Sequence, residues 1–165
     1  MRVLLAGATG AIGRSLLPRL VAAGRQVVGT TRSEKKADLI RRLGGEALIA
    51  DGLDARAIDR AVRSAKPDAI VHEMTNLKAA ADLRRFEHAF AVSNRLRTQG
   101  PDHLLASARE TGVTGFVAQS FCGWPFARIG DAVKSEDDPL DPEPPRELRR
   151  TLDAIRHLEK AVRWT

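Results

Sequence analysis

Residues 3–14 read Val3-Leu4-Leu5-Ala6-Gly7-Ala8-Thr9-Gly10-Ala11-Ile12-Gly13-Arg14, and this stretch decides the fold. Four apolar residues run directly into Gly7, Gly10 and Gly13. Beyond Gly13 the apolar residues Leu16, Leu17, Leu20 and Val21 recur at helical spacing. The pattern predicts a strand, a glycine turn and a helix. A buried strand feeding such a turn aims the helix's unpaired N–H groups at the space above the strand end, a place that suits a pyrophosphate. Gly7 allows the sharp turn, Gly10 lets the backbone approach a phosphate, and Gly13 packs helix on strand. Thr9, Ala11 and Ile12 complete the loop and are assigned to the cofactor with the glycines. An ordinary strand–helix connection rich in small residues is the alternative.

Working outward, a chain of 165 residues is one domain's worth, and residues 1–165 are read as a single dinucleotide-binding domain. The formal charge is +6. The basic residues, among them Arg19, Arg25, Arg41, Arg42, Arg84, Arg85, Arg149 and Arg150, are scattered over polar helix faces and not interleaved with aromatics. That favours a solvated surface over a nucleic-acid partner. The one cysteine, Cys122, excludes an internal disulfide. No run is long and apolar enough for a bilayer, and the N-terminal apolar stretch is claimed by its glycines, so no targeting segment is read. No metal-ligand cluster is seen. The expectation is a cytoplasmic chain without a membrane partner.

The second strand is Gln26 to Thr30. At its end an NAD site places an acid on the ribose diol, but this chain offers Gly29-Thr30-Thr31-Arg32-Ser33. Arg32, with Ser33 and Lys35 or Lys36 beside it, is a seat for a 2′-phosphate and favours NADP over NAD. The alternative is an arginine facing solvent near a helix start. Ser33 is read as the cap of a helix from Glu34 to Leu43, stopped at Gly44-Gly45. Glu46 to Ala50 is the third strand, Asp54 caps the helix Ala55 to Ser64, and Ala69 to His72 is the fourth strand. His72 is read as structural. Ala79 to Arg97 is a long helix, interrupted or kinked at Gly100-Pro101 before a second run, Asp102 to Glu110. Gly115 to Ser120 is the fifth strand, and Glu147 to about Arg163 the last helix. Alternation throughout predicts an α/β Rossmann-type, doubly wound parallel sheet, five strands in the order 3-2-1-4-5 with helices on both faces.

Gly-x-x-Gly-x-x-Gly with Thr9 resembles the short-chain dehydrogenase/reductase superfamily, in its extended and atypical branches that include nucleotide-sugar epimerases and dehydratases. The resemblance implies that Asp51 contacts the adenine amino group and that Gly52 and Leu53 form the adenine pocket wall. It places Glu73-Met74-Thr75-Asn76 near the nicotinamide ribose. Asn94 and Thr98 match an Asn-x-x-x-Thr pattern whose Asn steadies backbone beside the active site. Ser120 takes the place of the serine or threonine that orients a substrate hydroxyl; a slip of one residue would put Phe121 there. Phe121 to Phe126 then looks like a substrate-side loop, in which Cys122 has no evident base partner. The proline-bounded acidic stretch Val133 to Pro142 resembles the one preceding the family's catalytic helix. The resemblance also implies a homodimer formed through the long helix and the last helix.

The likeness fails at Tyr-x-x-x-Lys, the pair that moves a proton to or from the substrate hydroxyl. The chain contains no tyrosine. Aligning on Glu159 puts Thr151 and Ile155 at the two positions; aligning after the prolines puts Arg146 and Arg150 there. Extended members also continue into a substrate lobe, so the chain reads as lacking it. Three readings follow. One is an NADP-binding protein whose ancestral chemistry is hydride transfer on a sugar-like or small carbonyl or hydroxyl substrate, with Glu73 the best local substitute for the tyrosine. Another is a non-catalytic NADP-binding sensor or docking protein. The third is a half-domain without activity of its own.

Overall fold

A computed structural model describes residues 1–76, 86–135 and 137–163. Five strands, β1 (Arg2–Ala6), β2 (Gln26–Thr31), β3 (Glu46–Ile49), β4 (Ala69–His72) and β5 (Gly115–Ala118), form one sheet in the order β3-β2-β1-β4-β5. All four pairings are parallel, with Leu4 beside Val28 on one side and Ile70 on the other. Helices α1 (Gly13–Ala22), α2 (Glu34–Arg42), α3 (Ala55–Ala65), α4 (Phe86–Thr111) and α5 (Arg149–Arg163) connect or follow them, with a short 3-10 turn at Arg146–Leu148 before α5.

The central strand is buried on both faces, which is why β1 is a continuous apolar run rather than an alternating one. Successive side chains point to opposite faces. Leu4 and Ala6 join Val28, Ile58, Val62, Ile70 and Leu104 under α3 and α4. Leu5 joins Leu17, Val27 and Ile40 under α1 and α2. At the sheet's other end Arg2 fixes the strand starts: its guanidinium forks onto Glu46 at 2.7 and 2.6 Å while Nε donates to the Ala65 carbonyl at 2.6 Å.

Several boundaries differ from the sequence expectations. Gly100-Pro101 does not divide the long helix, because α4 runs through it to Thr111. Gly100 serves space instead: a Cβ there would lie 3.2 Å from Met74 Cε and 3.6 Å from the His72 ring. The expected helix start at Ala79 lies outside the described residues. β5 stops at Ala118, so Ser120 belongs to the following loop. Ser33 stands at the start of α2 in extended conformation, but its side chain makes no capping hydrogen bond. Asp54 does cap α3, its carboxylate accepting from the N–H groups of Arg56 and Ala57 at 2.9 and 3.0 Å.

Candidate functional site

The sheet order reverses between β1 and β4, and a crevice at such a switch point lies beyond the strands' C-terminal ends. Gly7, at the end of β1, has φ +94° and its missing Cβ would sit 2.7 Å from the Glu73 carbonyl. No other residue type fits both conditions. A Cβ on Gly13 would lie 2.4 Å from the Gly7 oxygen, and one on Gly10 3.2 Å from it. The loop is closed by Gly10 N–H donating to the Gly7 carbonyl at 2.9 Å. Ile12 precedes α1 without any side-chain cap, and the helix's first turn carries no acid. The Arg14 and Ser15 N–H groups donate to the Gly10 and Ile12 carbonyls at 3.1 and 2.9 Å, and no described side chain caps the helix's positive dipole end. This is the fit expected for a dinucleotide's diphosphate.

The loop has support that sequence reasoning missed. Thr30 and Thr31, both buried, place their hydroxyls against it: Gly7 N–H donates to Thr30 Oγ1 at 3.4 Å, and Thr9 Oγ1 meets Thr31 Oγ1 at 3.4 Å. Two consecutive β-branched hydroxyls at a strand end were the available signal.

Arg32 follows β2, and Asp51 follows β3. The structure brings them together, with Arg32 Nη1 3.9 Å from Asp51 Oδ2, both well exposed. Asp51 Oδ1 also accepts the Leu53 N–H at 3.0 Å, which folds the Asp51-Gly52-Leu53 turn. Gly52 is packed on the Met74 thioether, where a Cβ would come within 2.4 Å of Sδ.

Beyond β4, His72 is buried between two backbone groups. Met74 N–H donates to Nδ1 and Nε2 faces the Leu96 carbonyl, both at 3.2 Å. A backbone N–H only donates and a carbonyl only accepts, so the ring is the neutral tautomer with its proton on Nε2. Burial pushes its pKa down to about 4, with the nearby Arg97 charge acting in the same direction. Glu73 next to it has one carboxylate oxygen, Oε2, buried without a partner, and burial raises its pKa.

On the substrate side, Ser120 Oγ donates to Glu159 Oε1 at 2.6 Å. Asn94 Nδ2 donates to Thr151 Oγ1 at 2.9 Å, so the alignment on Glu159 places a buried threonine beside the Asn of Asn-x-x-x-Thr. Ile155 is fully buried, whereas Arg146 and Arg150 are exposed. Arg97 is the residue the sequence reading passed over. It is 5% exposed, stacks over the Phe121 ring at 5.7 Å and, among the described residues, donates only to Asn94 Oδ1, at 3.4 Å. Burial lowers its pKa. Seven residues after Phe90 and seven before Leu104, it lies on the buried stripe of α4, the signal that could have found it. Among the described residues no cluster of three metal-ligating side chains occurs, and no helix is long and apolar enough to cross a membrane.

With this geometry in view, the chain belongs to the NAD dependent epimerase/dehydratase family, whose pattern it matches over residues 3–147. NAD(P) is the cofactor class of that family. It is 39% identical over 163 residues to a Streptomyces "3-diazoavenalumate denitrifying reductase", covering 98% of this chain and 51% of the reductase. The chain thus spans about half the length of that relative. Among solved structures, UDP-glucose 4-epimerase of Thermus thermophilus in complex with NAD superposes with a TM-score of 0.78 at 20% identity, over 99% of this chain and 50% of the epimerase. A putative epimerase of Burkholderia cenocepacia gives 0.74 at 23% identity, over 99% and 49%. These likenesses establish the Rossmann-type fold.

Proposed function

We propose that the chain is the cofactor-binding part of an NADP-dependent reductase. The observation that carries this is the glycine loop at the uncapped start of α1. Gly7, Thr9, Gly10, Ala11, Ile12 and Gly13 hold the diphosphate, Arg32 the 2′-phosphate, and Asp51, Gly52 and Leu53 the adenine. When bound, reduced nicotinamide supplies a hydride. The chain's own part is to fix the cofactor, exclude water and present the acceptor.

The names of the solved neighbours support a sugar-like substrate, and that of the Streptomyces reductase supports a small diazo acceptor. We favour the small acceptor on chemical grounds. Epimerising a carbinol requires a group that takes and returns the hydroxyl proton. Thr151, a weak acid held by Asn94, is unsuited to that task. At an aryldiazonium carbon the incoming hydride forms the C–H bond, the C–N bond breaks and neutral dinitrogen leaves, with no alkoxide for a phenol to protonate, so a site without tyrosine suits it. Ser120 remains the proposed polar group near the reacting carbon. Cytoplasmic location and homodimer formation through α4 and α5 belong to the same reading.

A second reading, a non-catalytic NADP-binding sensor, is favoured by the engagement of both Ser120 and Thr151 with protein partners. Calorimetric titration with NADPH and NADH, followed by NADPH-consumption assays on small carbonyls, UDP-sugars and aryl diazo compounds, separates the two. The reductase reading expects tighter binding of NADPH and turnover on a small acceptor. Tight binding without turnover on any of them supports the sensor, and no binding at all removes both readings.

A further inference from the structure

We propose that Arg97 is the anchor for a carboxylate, and that the protein's substrate is a planar aromatic or conjugated carboxylate. A guanidinium has five N–H donors and is always charged. Arg97 spends one of them on a 3.4 Å contact with Asn94 Oδ1 and none on an acid among the described residues. A buried charge without a counter-charge is costly and is seldom kept without a use. Only Glu73 Oε2 is sealed without a partner among the described buried side-chain atoms, so none of the unbonded nitrogens of Arg97 is wholly shut off from the outside. A carboxylate matches that fork with two parallel hydrogen bonds.

The surroundings define the rest of the ligand. Phe121 lies under the guanidinium, and its ring is 6.0 Å from Trp124. Trp124 meets Phe86 edge-on at 6.0 Å, and Phe86 stacks on Phe90 at 4.4 Å. Four of the chain's seven aromatic side chains (five Phe, two Trp) thus form one run of ring contacts that meets the buried cation at Phe121. Such a surface accepts a flat apolar body better than a polyhydroxylated ring. Arg97 stands three residues from Asn94, whose amide holds Thr151, so the carboxylate would be fixed close to the residue that the alignment on Glu159 puts in the tyrosine's place.

This assignment rests on the crevice being the substrate side of a cofactor site, and the test keeps the two claims apart. Benzoate and its neutral isostere benzamide are titrated calorimetrically into the whole chain, with and without NADPH, and into Arg97→Met and Arg97→Lys. The expected result is benzoate binding that Arg97→Met weakens about tenfold or more, as loss of a charge-assisted pair requires, that Arg97→Lys partly restores, and that benzamide does not reproduce. Equal binding of benzoate and benzamide by the unaltered chain overturns the proposal without needing any variant. So does undiminished benzoate binding by a folded Arg97→Met chain, or no benzoate binding while NADPH binds. Benzoate binding that depends on Arg97 in a chain that ignores NADPH keeps the anchor and removes the reductase. Failure of both ligands removes both.

Discussion

Arg32 and Asp51 meet across the ends of β2 and β3, Nη1 to Oδ2 3.9 Å apart. The pair is exposed and worth little to stability. Its importance is that the proposed 2′-phosphate seat and the proposed adenine contact share one rim of the crevice. Arg32→Ala is expected to weaken NADPH about tenfold or more, on the scale of a lost charge-assisted hydrogen bond, and to leave NADH nearly unchanged. Asp51→Asn is expected to weaken both cofactors alike. Paired titrations measure this; an unchanged NADPH-to-NADH ratio in Arg32→Ala sinks the assignment.

The three loop glycines are expected to fail differently. Gly13→Ala forces a methyl to within 2.4 Å of the Gly7 oxygen and should cost about 1–3 kcal/mol of stability. Gly10→Ala meets that oxygen only at 3.2 Å. It should lower the melting temperature less than Gly13→Ala does while weakening NADPH and NADH equally. Melting curves set beside calorimetry separate the two effects.

His72 makes the fold acid-sensitive. Its pKa is about 4 when folded, against an ordinary value near 6.5. Between these values the unfolded chain binds a proton that the native chain refuses, so stability falls as pH drops through this window. Above about pH 6.5 the group costs nothing, and below about pH 4 the full loss, on the order of 3 kcal/mol, has been taken. Urea unfolding across this window should show the slope, and His72→Gln should flatten it. An identical slope in the variant would assign the effect elsewhere.

Ser120 can be tested as structural or catalytic through its bond to Glu159. Ser120→Ala removes a hydrogen bond to a carboxylate and is expected to destabilise by about 1–3 kcal/mol. If that is its whole role, Glu159→Gln costs a similar amount and turnover per folded molecule is unchanged in both. A loss of kcat in Ser120→Ala alone, with KM and stability held, would make it part of the chemistry.

The sheet order and the glycine loop were legible because both are written locally. Apolar runs mark buried parallel strands, and glycine spacing marks a backbone that must turn and approach closely. The interruption expected at Gly100-Pro101 does not occur, because a glycine that serves tertiary space looks, in sequence, like one that serves a turn. Met74 and the His72 ring occupy the room it leaves. Arg97 was obscured by composition: among so many surface arginines, one on the apolar stripe of α4 reads as another solvated charge. Its position relative to Phe90 and Leu104 carried the information. The partners of Ser120 and Thr151 were illegible for another reason, since both depend on how α5 docks against the loop after β5 and against α4.

Met74 fills two notches at once, its sulfur against Gly52 beside the proposed adenine wall and its terminal methyl against Gly100 on the inner side of α4. Neither glycine leaves volume for another atom. Converting that thioether to a sulfoxide would add a polar oxygen where only hydrogens fit, so peroxide should wedge the crevice floor away from the long helix and loosen the hold on the coenzyme. The chain's tolerance of oxidants would then be set at one buried sulfur atom rather than at its exposed cysteine.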